Sequence, residues 1–220
     1  MPTVCFDIDV NVNDDDFMTQ AGWSVRAARE RSDTDRHRAL LDAAADVFAE
    51  RGYDKTTVAD ITTAAGVSRA TMYVYFASKD EIFLALAARV RDDFLDAQEP
   101  DIDTDDPRVM LAATIDAFAA AVRTAGPMLR IIDERGAVDN RVAILAQEIA
   151  ERPIRRFTRY LERLHTAGRI SPTVPPRIIA ETIGYALTRG TLTRADATPR
   201  ARATYLAHMQ TVAETLLSPT

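Results

Sequence analysis

Thr57-Val-Ala-Asp-Ile-Thr-Thr-Ala-Ala-Gly-Val-Ser-Arg-Ala-Thr-Met-Tyr-Val-Tyr-Phe-Ala-Ser-Lys-Asp-Glu81 is the stretch on which the fold turns. Two short runs of helical periodicity meet at Gly66, where a glycine supplies the left-handed residue that ends one helix and redirects the chain into the next. Helix starts are marked three times. Thr57 with Asp60 has capping-box spacing, Ser68 caps the second run with Val67 and Met72 as its hydrophobic staple, and Ser78 with Glu81 repeats the box. Neither short helix holds alone in water, so Ile61, Ala65, Val67, Met72 and Phe76 are predicted to dock on an earlier helix. That helix is read over residues 36–51, with Leu40, Leu41, Ala44, Val47 and Phe48 as its apolar stripe and Gly52 as its end.

A helix-turn-helix of this kind leaves the leading half of its second helix free to enter a major groove. With Met72 and Phe76 inward, Ala70, Thr71 and Val74 point away, and Arg69, Tyr73 and Tyr75 flank them. Arg69 is therefore the candidate guanine donor and Thr71 the hydrogen-bonding reader, while Ala70 and Val74 suit thymine methyl groups. Tyr73, Tyr75 and Lys79 are candidates for phosphates, and the helix starts after Thr57 and Ser78 offer free backbone N–H groups for more. The overall charge points the other way. With 27 Lys and Arg against 33 Asp and Glu the 220-residue chain carries a net −6, whereas a nucleic-acid surface is basic. A local basic face on an acidic body meets that objection.

The same composition bounds the rest. The single cysteine, Cys5, excludes a disulfide framework and a thiolate zinc cluster. No uninterrupted apolar run approaches the roughly 20 residues of a membrane span, and the N-terminus lacks the order of a signal peptide, so a cytoplasmic protein without membrane contact is expected. His37, His165 and His208 are far apart, and no phosphate-cradling glycine loop or Gly-x-Ser-x-Gly turn occurs, so no enzyme chemistry is assigned. Asp7, Asp9 and Asn11 have calcium-loop spacing without the turn glycine or distal glutamate. Neither metal nor cofactor is expected.

Beyond residue 36 the pattern is helical nearly throughout, which predicts an all-α fold. A helix from Ser78 to about Ala97 is followed by Glu99-Pro100 and an acidic loop, and further helices are read near 107–124, 127–135, 139–167, 176–190 and 199–217. Pro127, Pro176 and Pro199 are read as helix starts, Pro153 as a kink or break, and Gly168 with Ile170 as a left-handed C-terminal cap. Three regions follow: a flexible extension over 1–33, a helix-turn-helix domain over 34–98, and a helical ligand-binding and dimerisation domain over 99–220. The period-two run from Val4 to Val12 is too isolated to make a sheet. The arginines at 26, 29, 31, 36 and 38 are interleaved with acids and are read as solvated surface rather than as a minor-groove arm.

Leu40-Leu-Asp-Ala-Ala-Ala-Asp-Val-Phe48, Arg51-Gly-Tyr53, Thr56-Thr-Val58, Ala64-Ala-Gly-Val-Ser68 and Thr71-Met-Tyr-Val-Tyr-Phe-Ala-Ser-Lys79 together resemble the N-terminal domain of the tetracycline-repressor (TetR) family of bacterial regulators. The resemblance implies an obligate homodimer of about nine helices, a palindromic double-stranded DNA operator, and a C-terminal pocket whose small-molecule effector releases the DNA. By motif position it places base reading on Arg69, Ala70, Thr71 and Tyr73, and phosphate contacts on Thr57, Tyr75 and Lys79. Thr62 departs from the family's alanine, and its hydroxyl is expected to bond the carbonyl of Val58.

In the C-terminal half, Met110, Phe118, Met128, Phe157, Tyr160 and Tyr185 are the candidates to line a cavity for an apolar or amphipathic effector. Stripes at Ile179, Ile183 and Leu187 and at Tyr205, Met209, Val212 and Leu216 fit a four-helix bundle with a second chain. The sequence thus points to a dimeric, ligand-responsive regulator, read as a repressor. The alternative is a helical small-molecule-binding or enzymatic protein that kept the fold without DNA binding.

Overall fold

The computed structural model describes residues 35–218, so the period-two run, the calcium-like spacing and the arginines at 26, 29 and 31 lie outside the described residues. Among the described residues there are eight helices and no strand. They are α1 (Asp35–Lys55), α2 (Val58–Ala64), α3 (Arg69–Tyr75), α4 (Lys79–Asp96), α5 (Pro107–Gly136), α6 (Asn140–Thr166), α7 (Pro176–Leu192) and α8 (Pro199–Leu217). One core runs through them. Phe48 on α1, Ile61 on α2, Met72 on α3 and Phe83 on α4 are almost wholly buried, as are Ile115 and Ile132 on α5, Leu161 on α6 and Ile179 on α7. The apolar stripe predicted for the first helix is its buried face, and Gly52, at φ +74°, interrupts that helix where the sequence placed its end.

Neither Pro127, read as a helix start, nor Pro153, read as a kink or break, ends a helix. Pro127 lies inside α5, which makes one helix of the two expected over 107–135, and Pro153 lies inside α6. A proline in a helix removes one N–H and frees the carbonyl one turn back. Around Pro127 the solvent-exposed side of α5 can hydrate that carbonyl, while Gly126 lets α5 press close to Leu192. Helix α5 is long and apolar enough, by length and composition, to cross a membrane, which the sequence reading had not anticipated. In the fold its apolar positions pack against neighbouring helices, with Leu111, Ile115, Val122, Ile131 and Ile132 buried. Gly168, at φ +69°, and the buried Ile170 form the predicted left-handed cap after α6.

Candidate DNA interface and effector cavity

Local chemistry sets α2 and α3. The Thr57 hydroxyl accepts from Asp60 N at 3.2 Å, and the Asp60 carboxylate accepts from the Thr57 N–H at 2.9 Å and from its hydroxyl at 2.7 Å. These bonds from Thr57, with Arg51 at 2.8 Å, hold the Asp60 carboxyl below its ordinary pKa. Because the hydroxyl proton of Thr57 goes to Asp60, only the first-turn N–H groups remain there for a phosphate. Gly66 turns the chain at φ +65°, and the Val67 N–H returns to the Thr62 carbonyl at 3.0 Å. Thr62 is buried as expected, but its hydroxyl donates to Ala59 O at 3.2 Å rather than to Val58, one position nearer along the helix.

Ser68 caps α3 by accepting from Thr71 N at 3.0 Å, and its hydroxyl lies 2.9 Å from that of Thr71. The predicted division of α3 into two faces is observed. Met72 and Phe76 are buried, whereas Arg69, Ala70, Tyr73 and Val74 are exposed, Tyr73 at 55% and Val74 at 68%. Thr71 is half-buried, and Tyr75 is half-buried against His37, with rings 6.1 Å apart. Tyr73 and Val74 are large side chains left on the surface beside an arginine, with the helix that carries them fixed from beneath.

Lys79 is more constrained than a free phosphate ligand. Its ammonium donates to the carbonyls of Tyr53 and Thr56, each at 2.9 Å, and sits 4.2 Å from the Tyr53 ring centroid. These carbonyls close α1, where backbone acceptors lack partners within the helix. Two of the three donors of the Lys79 ammonium are thereby engaged. At α4 the box is shifted: Ser78 accepts from Glu81 N at 3.1 Å, but the Glu81 carboxylate takes the N–H of Ala77 at 2.5 Å instead of that of Ser78.

Tyr53 is the residue the sequence reading passed over. Its hydroxyl bonds the Asp80 carboxylate, and the Arg135 guanidinium at the end of α5 lies 4.5 Å from its ring centroid. Burial and the acceptor Asp80 push its phenol up to about 12. Asp139, which caps α6, lies 3.8 Å from Arg135 and 3.0 Å from Arg141, and Arg141 stands 3.7 Å from Asp80. The hydrogen bond from Arg141 keeps the Asp139 carboxyl below its usual range. Tyr53 appears in the Arg51-Gly-Tyr53 motif, but its partners at 80 and 135 are too distant in sequence to be paired from it.

Between α4, α5, α6 and α7 lies a cavity of about 210 Å³. Phe118, Phe157 and Tyr185 line it, as the sequence predicted; Met110, Met128 and Tyr160 are not among its lining residues. Met128 is buried in the core, and Tyr160 packs beside Phe157 with ring centroids 6.4 Å apart. The stripe read as a dimer seam needs the same correction. Ile179, Ile183, Leu187 and Met209 are buried within this one chain, Ile183 and Leu187 on the cavity wall, so they cannot meet a partner. Tyr205 is likewise turned inward, its hydroxyl donating to Ala186 O at 2.6 Å, and Leu216 is half-buried against the core. Val212 is exposed at 42%, and α7 presents Ile178 and Tyr185 to the outside at about half exposure.

With this geometry in hand, similarity to known proteins is informative. Residues 40–86 match the family described as bacterial regulatory proteins, tetR family. Over these residues the chain is similar to the TetR family. It is 38% identical over 63 residues to the fatty acid metabolism regulator protein of Bacillus subtilis, covering 29% of this chain and 32% of that one. The transcriptional activator FasR of Mycolicibacterium smegmatis is 36% identical over 99 residues, 44% of this chain and 45% of its own. The repressor Rv1474c of Mycobacterium tuberculosis is 48% identical over 52 residues, 24% of this chain and 28% of its own. The chain therefore spans less than half the length of these curated relatives. The likeness of fold reaches further. A putative TetR-family regulator from Mesorhizobium loti superposes with a TM-score of 0.68 at 22% identity, over 88% of this chain and 97% of its own. The fatty acid degradation regulator FadR of Bacillus halodurans gives 0.65 at 19% identity, over 84% and 95%. The TetR-type helical fold thus extends through α8, and the C-terminal half shares that architecture without close sequence kinship.

Proposed function

We propose that this protein is a ligand-responsive transcriptional regulator that acts in the cytoplasm, binds a palindromic operator as a homodimer, and represses until a small apolar or amphipathic effector enters the α4–α7 cavity. One observation supports this most strongly: α3 exposes Arg69, Ala70, Tyr73 and Val74 on a face anchored by Ser68, Met72 and Phe76. Arg69 offers paired donors to a guanine, Thr71 a hydroxyl, and Ala70 and Val74 apolar contacts to thymine. First-turn N–H groups of α2 and α4, Tyr73, Tyr75 and the remaining N–H of Lys79 serve the phosphates on either side.

The outer faces of α7 and α8, with Ile178, Tyr185 and Val212, are the surface offered to the second subunit, which brings two copies of α3 to one duplex about 34 Å apart. An effector that prefers a dimer with a different separation lowers operator affinity by that preference alone.

Binding to a palindrome from the region upstream of the coding sequence, followed across salt concentrations, tests this reading. A steep fall in affinity with salt is expected, and a slope near zero contradicts phosphate contact. Arg69→Ala should lower affinity for the preferred site by about 1–3 kcal/mol and flatten preference at one base pair in each half-site. Unchanged preference would remove Arg69 from base reading.

A further inference from the structure

Gln98, one of the residues that line the cavity, carries a polar atom that the described residues leave unmatched. Gln98, just past the end of α4, donates from its amide nitrogen to the Pro153 carbonyl at 2.8 Å. Its amide oxygen is fully buried and accepts no hydrogen bond from any described residue. The orientation is not interchangeable: a carbonyl can only face the NH₂ end of the amide, so the Pro153 contact fixes the oxygen as the group that is left over. Burying an acceptor without a donor is costly, and native chains pair nearly all such atoms.

The surroundings narrow what could pair it. Gln98 and Pro153 both line the cavity, and most of the rest of its surface is aliphatic or aromatic, including Phe94, Phe118 and Phe157. None of the lining residues is a lysine, arginine or histidine, whereas Asp133 adds a carboxylate. Arg152, Arg155, Arg156 and Arg159 gather with Leu95 in a separate concavity. An anionic head group would meet an acceptor and a negative charge here, with the hydroxyls of Thr114, Tyr185 and Thr188 as side-chain donors and no counter-charge to offset its lost hydration.

We infer that the cavity selects a largely apolar molecule without an anionic group that bears one hydrogen-bond donor, a phenol, an alcohol or an N–H, which it gives to the Gln98 amide oxygen. This rests on the reading of the cavity as an effector site and narrows its ligand class. A site with a buried acceptor rejects the analogue that lacks the donor much more strongly than an apolar wall rejects a small change of size.

Three probes of matched shape test it: 4-butylphenol, butylbenzene and 4-butylbenzoate, titrated calorimetrically into the full chain and into Gln98→Leu. The phenol should bind about tenfold or more tighter than butylbenzene, and the benzoate more weakly than either. In Gln98→Leu the phenol and butylbenzene should bind about equally, with butylbenzene no weaker than before. Equal binding of the two in the unaltered chain, tightest binding of the benzoate, or a phenol preference that survives in Gln98→Leu would each overturn the inference. Should Gln98→Leu fail to fold, the ranking of the three probes in the unaltered chain decides. If none of them binds, the effector-site reading fails together with this inference, whereas a lost phenol preference with butylbenzene still bound sinks the inference alone. Operator binding is measured separately, so a chain that ranks the probes as expected but ignores DNA leaves the inference standing.

Discussion

Replacing Lys79 by Met separates two roles that converge on one ammonium group. In the structure that group closes the end of α1 by donating to Tyr53 O and Thr56 O, each at 2.9 Å, and lies 4.2 Å from the Tyr53 ring centroid. Hydrogen bonds from a charged donor contribute about 1.5–3 kcal/mol when well buried, and about 1 kcal/mol each is the reasonable share for a half-buried lysine. The ring contact adds about 0.5–1 kcal/mol at such exposure. Methionine keeps the apolar stem and loses all three, so a destabilisation of about 2–3 kcal/mol follows, or a fall in Tm of roughly 5–10 °C for a chain of this size. Thermal unfolding followed by circular dichroism reads this part. The DNA part is read by the salt dependence of operator binding. If the third N–H meets a phosphate, the slope should drop by about 0.9 for each subunit, with affinity lost equally for specific and nonspecific sequences. An unchanged Tm would refute the clamp on α1; a lowered Tm with an unchanged salt slope would confine Lys79 to the fold and remove it from the DNA surface.

The Tyr53 phenol, pushed up to about 12 by burial and by Asp80, is neutral in folded and unfolded chains alike at neutral pH. Its contribution to stability is therefore whole below pH 10 and is lost as the pH climbs from about 10 to about 12. Phenolate absorbance should show a late-titrating component that Tyr53→Phe removes, distinct from the smaller upward shifts that burial gives Tyr160 and Tyr205; a full set of six tyrosines titrating together near 10 contradicts this. A Cβ at position 190 would fall inside the phenol of Tyr205, so Gly190→Ala should cost about 1–3 kcal/mol in urea unfolding and regain much of it when combined with Tyr205→Ala. Arg135→Ala removes the guanidinium over Tyr53 and the more distant of the two arginines beside Asp139; operator affinity should change little while the effector's ability to release DNA falls several-fold, and full release by effector would show that α5 does not carry the signal.

What the sequence made legible was local. The cap of α2 joins residues three apart, and the turn at Gly66 depends on a single φ angle, so both could be read from a window shorter than two helical turns. The inward face of α3 followed from Met72 and Phe76 at a spacing of four. What escaped was tertiary. Ile179, Ile183 and Leu187 form a stripe by spacing, but spacing does not say which helix covers it, and α5 and α6 of the same chain do so before any partner could. Pro127 looked like a start because proline suits the first turn; it is tolerated mid-helix because the loss is one hydrogen bond and the surrounding bundle supplies the rest of the stabilisation. Gln98 gave no signal at all, since an unpaired amide oxygen is defined only by what the fold fails to place beside it.

The cavity and the helix-turn-helix meet through α4, which carries Phe94 on the cavity wall and Lys79 at its start, and through the end of α5. Ile132 and Asp133 on α5 line the cavity, and Arg135, two residues on, lies over Tyr53. Tyr53 holds Asp80 and shares its carbonyl with Lys79, so the end of α1 and the start of α4 are tied to the same arginine. The cross-links from Arg141 to Asp80 and to Asp139 add charged pairs to a junction whose apolar part includes Phe94 of α4 against Phe118 of α5, ring centroids 5.2 Å apart. This difference in chemistry matters for switching. A packed apolar seam resists sliding because each void forfeits contacts, whereas exposed ion pairs are individually weak and re-form with new partners at little cost. On the proposed function, a shift of α5 that made room for a ligand beside Ile132 would be felt first at Arg135 and its partners Tyr53 and Asp139. A rigid-body turn of the helix-turn-helix is the motion that would change the spacing of two reading helices without unfolding either, and it is what Arg135→Ala tests.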